Sequence, residues 1–281
     1  MSVDVGPPGT PRVRGAATAS VVRALLRSTL SALGTLGIVL LVWLAVVHLT
    51  GISAYVAKGP LEVGRFLLTD EGAAQNRAVL GENLAVTFGH AASGFAAGLA
   101  VALVGAVLFR LSRTVEAALM PVATLLRSVP LVALAPVIIL LLGYGSQASV
   151  MVIGAVVVLF PALVTMVFGL RTASPQMLDV VHVYGGGTWA GIRRVALPAA
   201  LPSLFAAVRV SVPAALTGAL LAEMLSTGDG VGRAALVFST QARFPDLWAA
   251  VIAVTVIALL VYQAVQILEA VVLARMGMTG S

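Results

Sequence analysis

The chain has 281 residues, 60% of them hydrophobic and only 10% charged, with a formal net charge of +6 and no cysteine. Average soluble domains are near a quarter charged, so a water-soluble fold around one large core is excluded, as are disulfides, thiolate metal sites and a thiol nucleophile. The basic residues are dispersed between apolar stretches without interleaved aromatics, a pattern of membrane orientation and not of nucleic-acid binding.

From the N-terminus, MSVDVGPPGTPRVRG is polar and rich in Pro and Gly, as expected of a disordered lead. A cleaved signal peptide carries its charged and apolar regions closer to the start, so none is expected. Ala17–Leu30 sets Arg23 and Arg27 four apart, with Val22, Leu25 and Leu26 elsewhere around the turn. That pattern predicts a short interfacial helix. Residues 1–30 are therefore read as a tail plus interfacial helix, and residues 31–281 as one transmembrane domain.

A crossing of hydrocarbon needs about 20 apolar residues. Six such windows are expected, near 31–51, 84–109, 115–142, 148–170, 203–226 and 247–273. The third is too long for one straight helix, and Pro121, Pro130 and Pro136 predict breaks or tilts in it. With the N-terminus inside, ten basic residues fall inside: Arg12, Arg14, Arg23, Arg27, Arg110, Arg113, Arg171, Arg193, Arg194 and Arg275. Five fall outside: Lys58, Arg65, Arg77, Arg233 and Arg243. The positive-inside rule then puts both termini of this multi-pass membrane protein in the cytoplasm. Residues 52–82 are expected to form an outside loop with a helix around Leu61–Leu68, and Arg233–Thr240 a second short helix at the outer surface.

Small residues recur four apart in the second span (Gly94, Gly98, Ala102, followed by Gly105) and in the fifth (Ala214, Gly218, Ala222). Such stripes let helix backbones approach closely, and packing within the chain is the favoured reading. Gly143-Tyr144-Gly145 lacks the Thr-Val that precedes these residues in a potassium filter and reads as a tight turn.

Catalysis finds little support. The single lysine, Lys58, sits in Ala-Lys-Gly-Pro, so the Gly-x-x-x-x-Gly-Lys-Ser/Thr phosphate loop is absent. His48, His90 and His182 are far apart, and no metal-ligand spacing or Ser/His/Asp arrangement stands out. No catalytic, cofactor or metal residue is expected. Three ionisable residues fall inside spans: Arg127, Arg209 and Glu223. A charge in hydrocarbon costs roughly 2.5–3.5 kcal/mol on insertion scales, so it faces a cavity, pairs or snorkels. Arg209 and Glu223 are fourteen residues apart, about 21 Å along a helix, and cannot pair directly. Each of the three can be a scaffold residue or can line a translocation path. Arg127 lies just before Pro130, where a broken helix opens toward a cavity.

Between the fourth and fifth spans stands a polar, Gly-rich segment, DVVHVYGGGTWAGIRRVALPAALP at Asp179–Pro202. It is longer than a simple helix connection requires and suits a surface gripped by another protein. Its spacing resembles the E-A-A-x-x-x-G, nine residues, I-x-L-P motif of the inner-membrane permease subunits of bacterial ABC importers. Asp179-Val180-Val181 stands in the E-A-A place, Gly185 is the glycine, and Val195-Ala196-Leu197-Pro198 closes it. The acid is shortened, both alanines are valines and Ile is Val.

The resemblance continues through NLAVTFGHAASGF at 83–95, LLRSVPLVALAPVIILLLGYG at 125–145, LPAALPSLFAAVRVSVPAALTGALLAEML at 197–225 and GDGVGRAAL at 228–236. These stretches are similar to importer permeases of the nitrate/sulfonate/taurine type over about residues 83–273, although His90 stands where an arginine is common. The resemblance implies an all-α membrane protein of six helices with a cytoplasmic coupling helix at Asp179–Trp189. Asp179, His182, Tyr184, Gly185, Gly186, Trp189, Leu197 and Pro198 would meet the ATPase, and Arg127, Pro130, Arg209 and Glu223 would belong to the path. It further implies two cytoplasmic ATPase subunits holding ATP and Mg, an external binding protein or lipoprotein, and a second permease copy or paralogue. Such a chain would move a small solute inward, and the two arginines favour an anion such as a sulfonate, taurine or nitrate. The rival readings are a stand-alone secondary transporter or channel, against which the absence of internal repeats counts, and a membrane scaffold.

Overall fold

The computed structural model describes residues 34–49 and 51–277 together with Leu30, and of Leu126 and Arg127 it describes the backbone only. The expected N-terminal tail and the rest of the interfacial helix over Ala17–Leu30 lie outside the described residues. Twelve helices are used below: α1 Gly34–Leu49, then α2 Pro60–Leu68, α3 Ala73–Leu111, α4 Arg113–Ser128, α5 Leu131–Leu142, α6 Gln147–Arg171, α7 Pro175–Val183, α8 Thr188–Gly191, α9 Leu197–Ala199, α10 Leu201–Leu225, α11 Gly230–Thr240 and α12 Phe244–Arg275. Among the described residues, α3, α6, α10 and α12 are long and apolar enough to cross a membrane, while α1 and α5 are shorter apolar helices.

Helix α3 starts eleven residues ahead of the expected second span and runs for 39 residues. That is about 58 Å, nearly twice the hydrocarbon thickness. Hydropathy marks where a helix is in lipid, not where its hydrogen bonding begins. The segment AAQNRAVLGEN is polar yet free of Pro, so the helix continues into water and takes up part of the expected 52–82 loop. The helix expected at Leu61–Leu68 is present as α2. The one expected at Arg233–Thr240 is α11, beginning three residues earlier at Gly230.

The long third window is two helices. The chain breaks at Val129-Pro130, where Pro130 takes an extended backbone (φ −60°, ψ 120°) as N-cap of α5. Pro121 and Pro136, also expected to break or tilt the segment, lie inside α4 and α5. The residue before a proline is pushed from helical toward extended backbone. At Pro130 that residue is the β-branched Val129, which adds its own helical cost; at the other two it is Met120 and Ala135.

The core is a three-helix contact of α3, α6 and α10. Ala102, Ala106, Ala162, Leu163, Met166 and Ala207 are all buried in one cluster. At its tightest point the backbones touch. A Cβ on Gly94 would fall 2.8 Å from the Gly154 Cα, and one on Gly218 would also fall 2.8 Å from that atom. A Cβ on Gly98 would meet the Ala155 carbonyl oxygen at 2.7 Å. Both small-residue stripes thus serve packing within the chain. Their partner Gly154 carries no stripe of its own and is visible only in the fold.

Aromatic side chains fasten the outer edge. Trp43 of α1 stacks on Trp248 of α12 with ring centroids 5.6 Å apart and planes 9° apart. Each indole N–H donates to the connecting loop, Trp43 to the Lys58 carbonyl (3.1 Å) and Trp248 to the Val56 carbonyl (2.9 Å). Tyr55 meets Phe244 edge-on at 5.3 Å. Rings with an apolar body and a polar tip suit a membrane boundary.

Candidate functional site

The segment between α6 and α10 forms a helical knob. Ser174 precedes Pro175, and a proline at the first helical position is pre-organised for a helix start. The helix α7 ends in a glycine turn. Gly185 has φ +78°, its N–H donates to the His182 carbonyl at 2.9 Å, and the Gly186 N–H donates to the Val181 carbonyl at 2.8 Å. This pair of bonds is the Schellman closure of a helix. The two glycines are required for different reasons. Gly185 needs the left-handed backbone, with open space around it. At Gly186 an added Cβ would lie 2.8 Å from the Val181 carbonyl oxygen.

The helical part therefore lies at Pro175–Val183, ahead of the glycines, and α8 follows the turn. The expected single helix over Asp179–Trp189 is corrected on this point. The physical reason is that a left-handed residue cannot continue a right-handed helix.

The knob has two faces. Leu178, Val181 and Leu197 pack against the buried cluster that holds Leu170, Ala173, Val195 and Ala196. A π-helical turn at Ile192–Ala196 joins α8 to α9 and buries Ile192. Met177, Val180, Val183, Tyr184 and Trp189 point away, with Val183 84% and Tyr184 88% exposed. Asp179 and His182 are exposed beside them, and Pro198 is half-buried. The two valines in the place of the motif's alanines thus differ: Val180 faces out and Val181 faces in.

A second polar centre lies at the opposite end of the bundle. Glu223 of α10 is wholly buried (0%). Its Oε1 is 2.9 Å from His90 Nδ1 of α3. Its Oε2 accepts from Thr87 Oγ1 (2.9 Å) and from the Gly232 N–H (2.8 Å) of α11. Thr87 Oγ1 in turn accepts from the Val231 N–H at 2.8 Å. The glycines of GDGVG make room for this. Gly230 has φ +81°, and a Cβ there would sit 2.3–2.5 Å from the Glu223 carboxyl; at Gly232 it would be 2.3 Å from the Leu220 carbonyl oxygen. Every carboxylate oxygen has a partner inside the chain, so Glu223 ties α10 to α3 and α11.

Arg209 pairs with Glu269 of α12 at 3.2 Å, another tie within the chain. Arg171 pairs with Glu116, joining α6 to α4. The four residues assigned to a path are therefore not brought together: Glu223 and Arg209 sit in separate intrachain pairs. Arg127 is in the last turn of α4, with its side chain outside the described set, and Pro130 caps α5. Reading the sequence missed the His90–Glu223 pair, 133 residues apart. A histidine and an acid at matching depth on spans of opposite direction were the available signal. Among the described residues no group of three or more His, Asp or Glu could hold a metal ion.

These features define a polytopic helical membrane protein with a protruding knob at one end. Residues 94–278 match the family model described as binding-protein-dependent transport system inner membrane component. The riboflavin transport system permease protein RibX of Chloroflexus aurantiacus is 32% identical over 254 residues, 88% of this chain and 92% of that one. The probable ABC transporter permease protein of Haemophilus influenzae is 27% identical over 80% of this chain and 89% of its own length. The putative aliphatic sulfonates transport permease protein SsuC of Bacillus subtilis is 27% identical over 83% of this chain and 82% of its own. The chain belongs to this family of ABC transporter permeases.

Proposed function

We propose that this chain is the membrane subunit of an ATP-driven importer and that the α7–α8 knob docks in a cytoplasmic ATPase. The carrying observation is the division of labour in that knob: apolar side chains anchor it to the α3–α6–α10 core, while Val180, Val183, Tyr184 and Trp189 are presented outward. Motion of the knob would thus be transmitted to the bundle and not absorbed by a slack loop. Six crossings are formed in this reading by α1, α3, the broken pair α4–α5, α6, α10 and α12, with both termini cytoplasmic. ATP and Mg belong to the partner ATPase, an external binding protein delivers the cargo, and a second permease copy completes the path. ATP binding closes the ATPase dimer, moves the two knobs and opens the path outward.

Gly185→Leu puts a branched side chain on a left-handed backbone. Co-purification of the ATPase with this variant should fall at least tenfold, while the amount of variant in the membrane stays near wild type. Gly185→Asn, which tolerates that backbone, should restore association. Full ATPase retention by Gly185→Leu would remove the assignment.

For the cargo we propose a small organic solute. Among this chain's own side chains the anionic reading rests on Arg127 once Arg209 is matched by Glu269, and the similarity to the aliphatic sulfonates permease SsuC supports it. Arg127→Gln should then reduce uptake of an anionic solute while basal ATPase activity holds, and unimpaired uptake would end that reading. A second reading, a planar heterocycle, is supported by the similarity to the riboflavin permease RibX and to the formylaminopyrimidine transport permease protein ThiX of Halalkalibacterium halodurans.

A further inference from the structure

A cavity of about 1420 Å³ opens between the end of α3, α4, the end of α6 and the start of α7. Three of the residues lining it are arginines: Arg110, Arg113 and Arg171. They stand in the last turn of α3, at the first residue of α4 and at the last residue of α6. All three are thus at one membrane boundary. Glu116, the one carboxylate along the wall, is already engaged by Arg171. Arg113 is exposed, and the Nε of Arg110 is buried with no hydrogen-bond partner. Among the described residues, Arg110 and Arg113 thus line the cavity without an ion-pair partner.

Below this rim the wall is apolar. Met120 and Leu125 line the cavity seven and twelve residues beyond Arg113, about 10 Å and about 18 Å further along α4. Phe109 and Val167 line it from α3 and α6. A cationic rim at the boundary over an apolar wall toward the bilayer centre matches one kind of molecule, with an anionic head and hydrocarbon tails. A free oxyanion uses only the rim, and the volume exceeds the roughly 300–1,000 Å³ of ordinary small-molecule pockets.

We propose that this cavity binds an anionic phospholipid, its phosphate held by Arg110 and Arg113 and an acyl chain lying along α4. A phosphate accepts paired hydrogen bonds from a guanidinium, and Arg110 and Arg113 each bring one to the cavity wall. Basic pockets between membrane helices attract such headgroups. The inference needs only that these helices cross a membrane, so it stands apart from the ATPase reading, and failure of the Gly185→Leu experiment would leave it untouched.

The test is native mass spectrometry of the full chain in neutral detergent, titrated with dioleoyl phosphatidylglycerol or dioleoyl phosphatidylcholine. Wild type should retain the anionic lipid preferentially. The double variant Arg110→Gln/Arg113→Gln should lose about tenfold of that preference, with phosphatidylcholine retention unchanged. Arg194→Gln/Arg275→Gln removes two charges from the same end but outside the cavity, and should keep the wild-type preference. Ala117→Trp sets a large ring on the cavity wall one helical turn beyond Arg113, with all arginines in place, and should also weaken retention of the anionic lipid; it decides the matter if the double variant fails to fold. Equal retention of the two lipids by wild type would overturn the proposal. So would an equal loss in the Arg194/Arg275 control, or displacement of the lipid by equimolar inorganic phosphate or methanesulfonate, which would give the rim to a soluble anion.

Discussion

The two ends of the bundle use the same device to opposite ends. At the knob, Gly185 takes φ +78° and Gly186 lies against a carbonyl oxygen; at the other end, Gly230 takes φ +81° and Gly232 lies against a carbonyl oxygen. The first turn opens into empty space and leaves Val183 and Tyr184 uncovered. The second closes onto Glu223, whose oxygens are matched by His90, Thr87 and Gly232. A turn whose groups are satisfied inside the chain holds the fold together. A turn that leaves apolar and aromatic side chains uncovered offers a surface to a second molecule, the role proposed for the knob.

That contrast can be broken most forcefully at Glu223. Glu223→Ala strands His90, Thr87 and the Gly232 N–H in a buried site. Losing one partner of a buried polar pair costs about 3–5 kcal/mol, so the purified chain should unfold on the order of 10 °C lower. Glu223→Gln keeps the shape and part of the bonding and should lose less. Unchanged thermal unfolding of Glu223→Ala would show that the Glu223 node is not a scaffold.

The two left-handed glycines give a matched comparison of intermediate size. Gly185→Ala meets open space and should cost only the backbone strain, about 1–2 kcal/mol. Gly230→Ala adds overlap with the Glu223 carboxyl at 2.3–2.5 Å, so its melting temperature should drop by clearly more. Equal drops would mean that the crowding at Gly230 relaxes freely. The smallest effect belongs to the Arg209–Glu269 pair, whose side chains are 26% and 14% exposed. A double-mutant cycle of Arg209→Gln and Glu269→Gln should give a coupling of about 1 kcal/mol, the size found for polar ties between membrane helices. A markedly larger value would make this pair, and not the Glu223 node, the main polar tie of α10.

The motif marked Gly185 as the fixed glycine of the segment, and the helix implied over Asp179–Trp189 runs across the residue at which α7 has already closed. The turn is a local backbone requirement, whereas the extent of α7 depends on which of Leu178 and Val181 find the core. The stripe at Gly94 and Gly98 was legible as a packing face because four-residue spacing is a property of one helix. Its counterpart Gly154 was not legible, since a single glycine has no periodicity to announce it. Arg209 and Glu223 were recognisable as buried charges from their setting in apolar sequence, but their partners Glu269 and His90 were not.

By itself the sequence determined that the chain is a helical membrane protein, roughly where its long apolar helices lie, and which family its motifs resemble. Those properties follow from hydropathy and backbone preference, which act over one helix or one turn. Only the tertiary structure decided that Glu223 meets His90 across 133 residues, that Trp43 stacks on Trp248, and that Arg110 and Arg113 line a cavity without an ion-pair partner among the described residues. Those contacts depend on the register and rotation at which helices pack. That register is set by close backbone approach at Gly94, Gly154 and Gly218, which no one segment of the chain specifies alone.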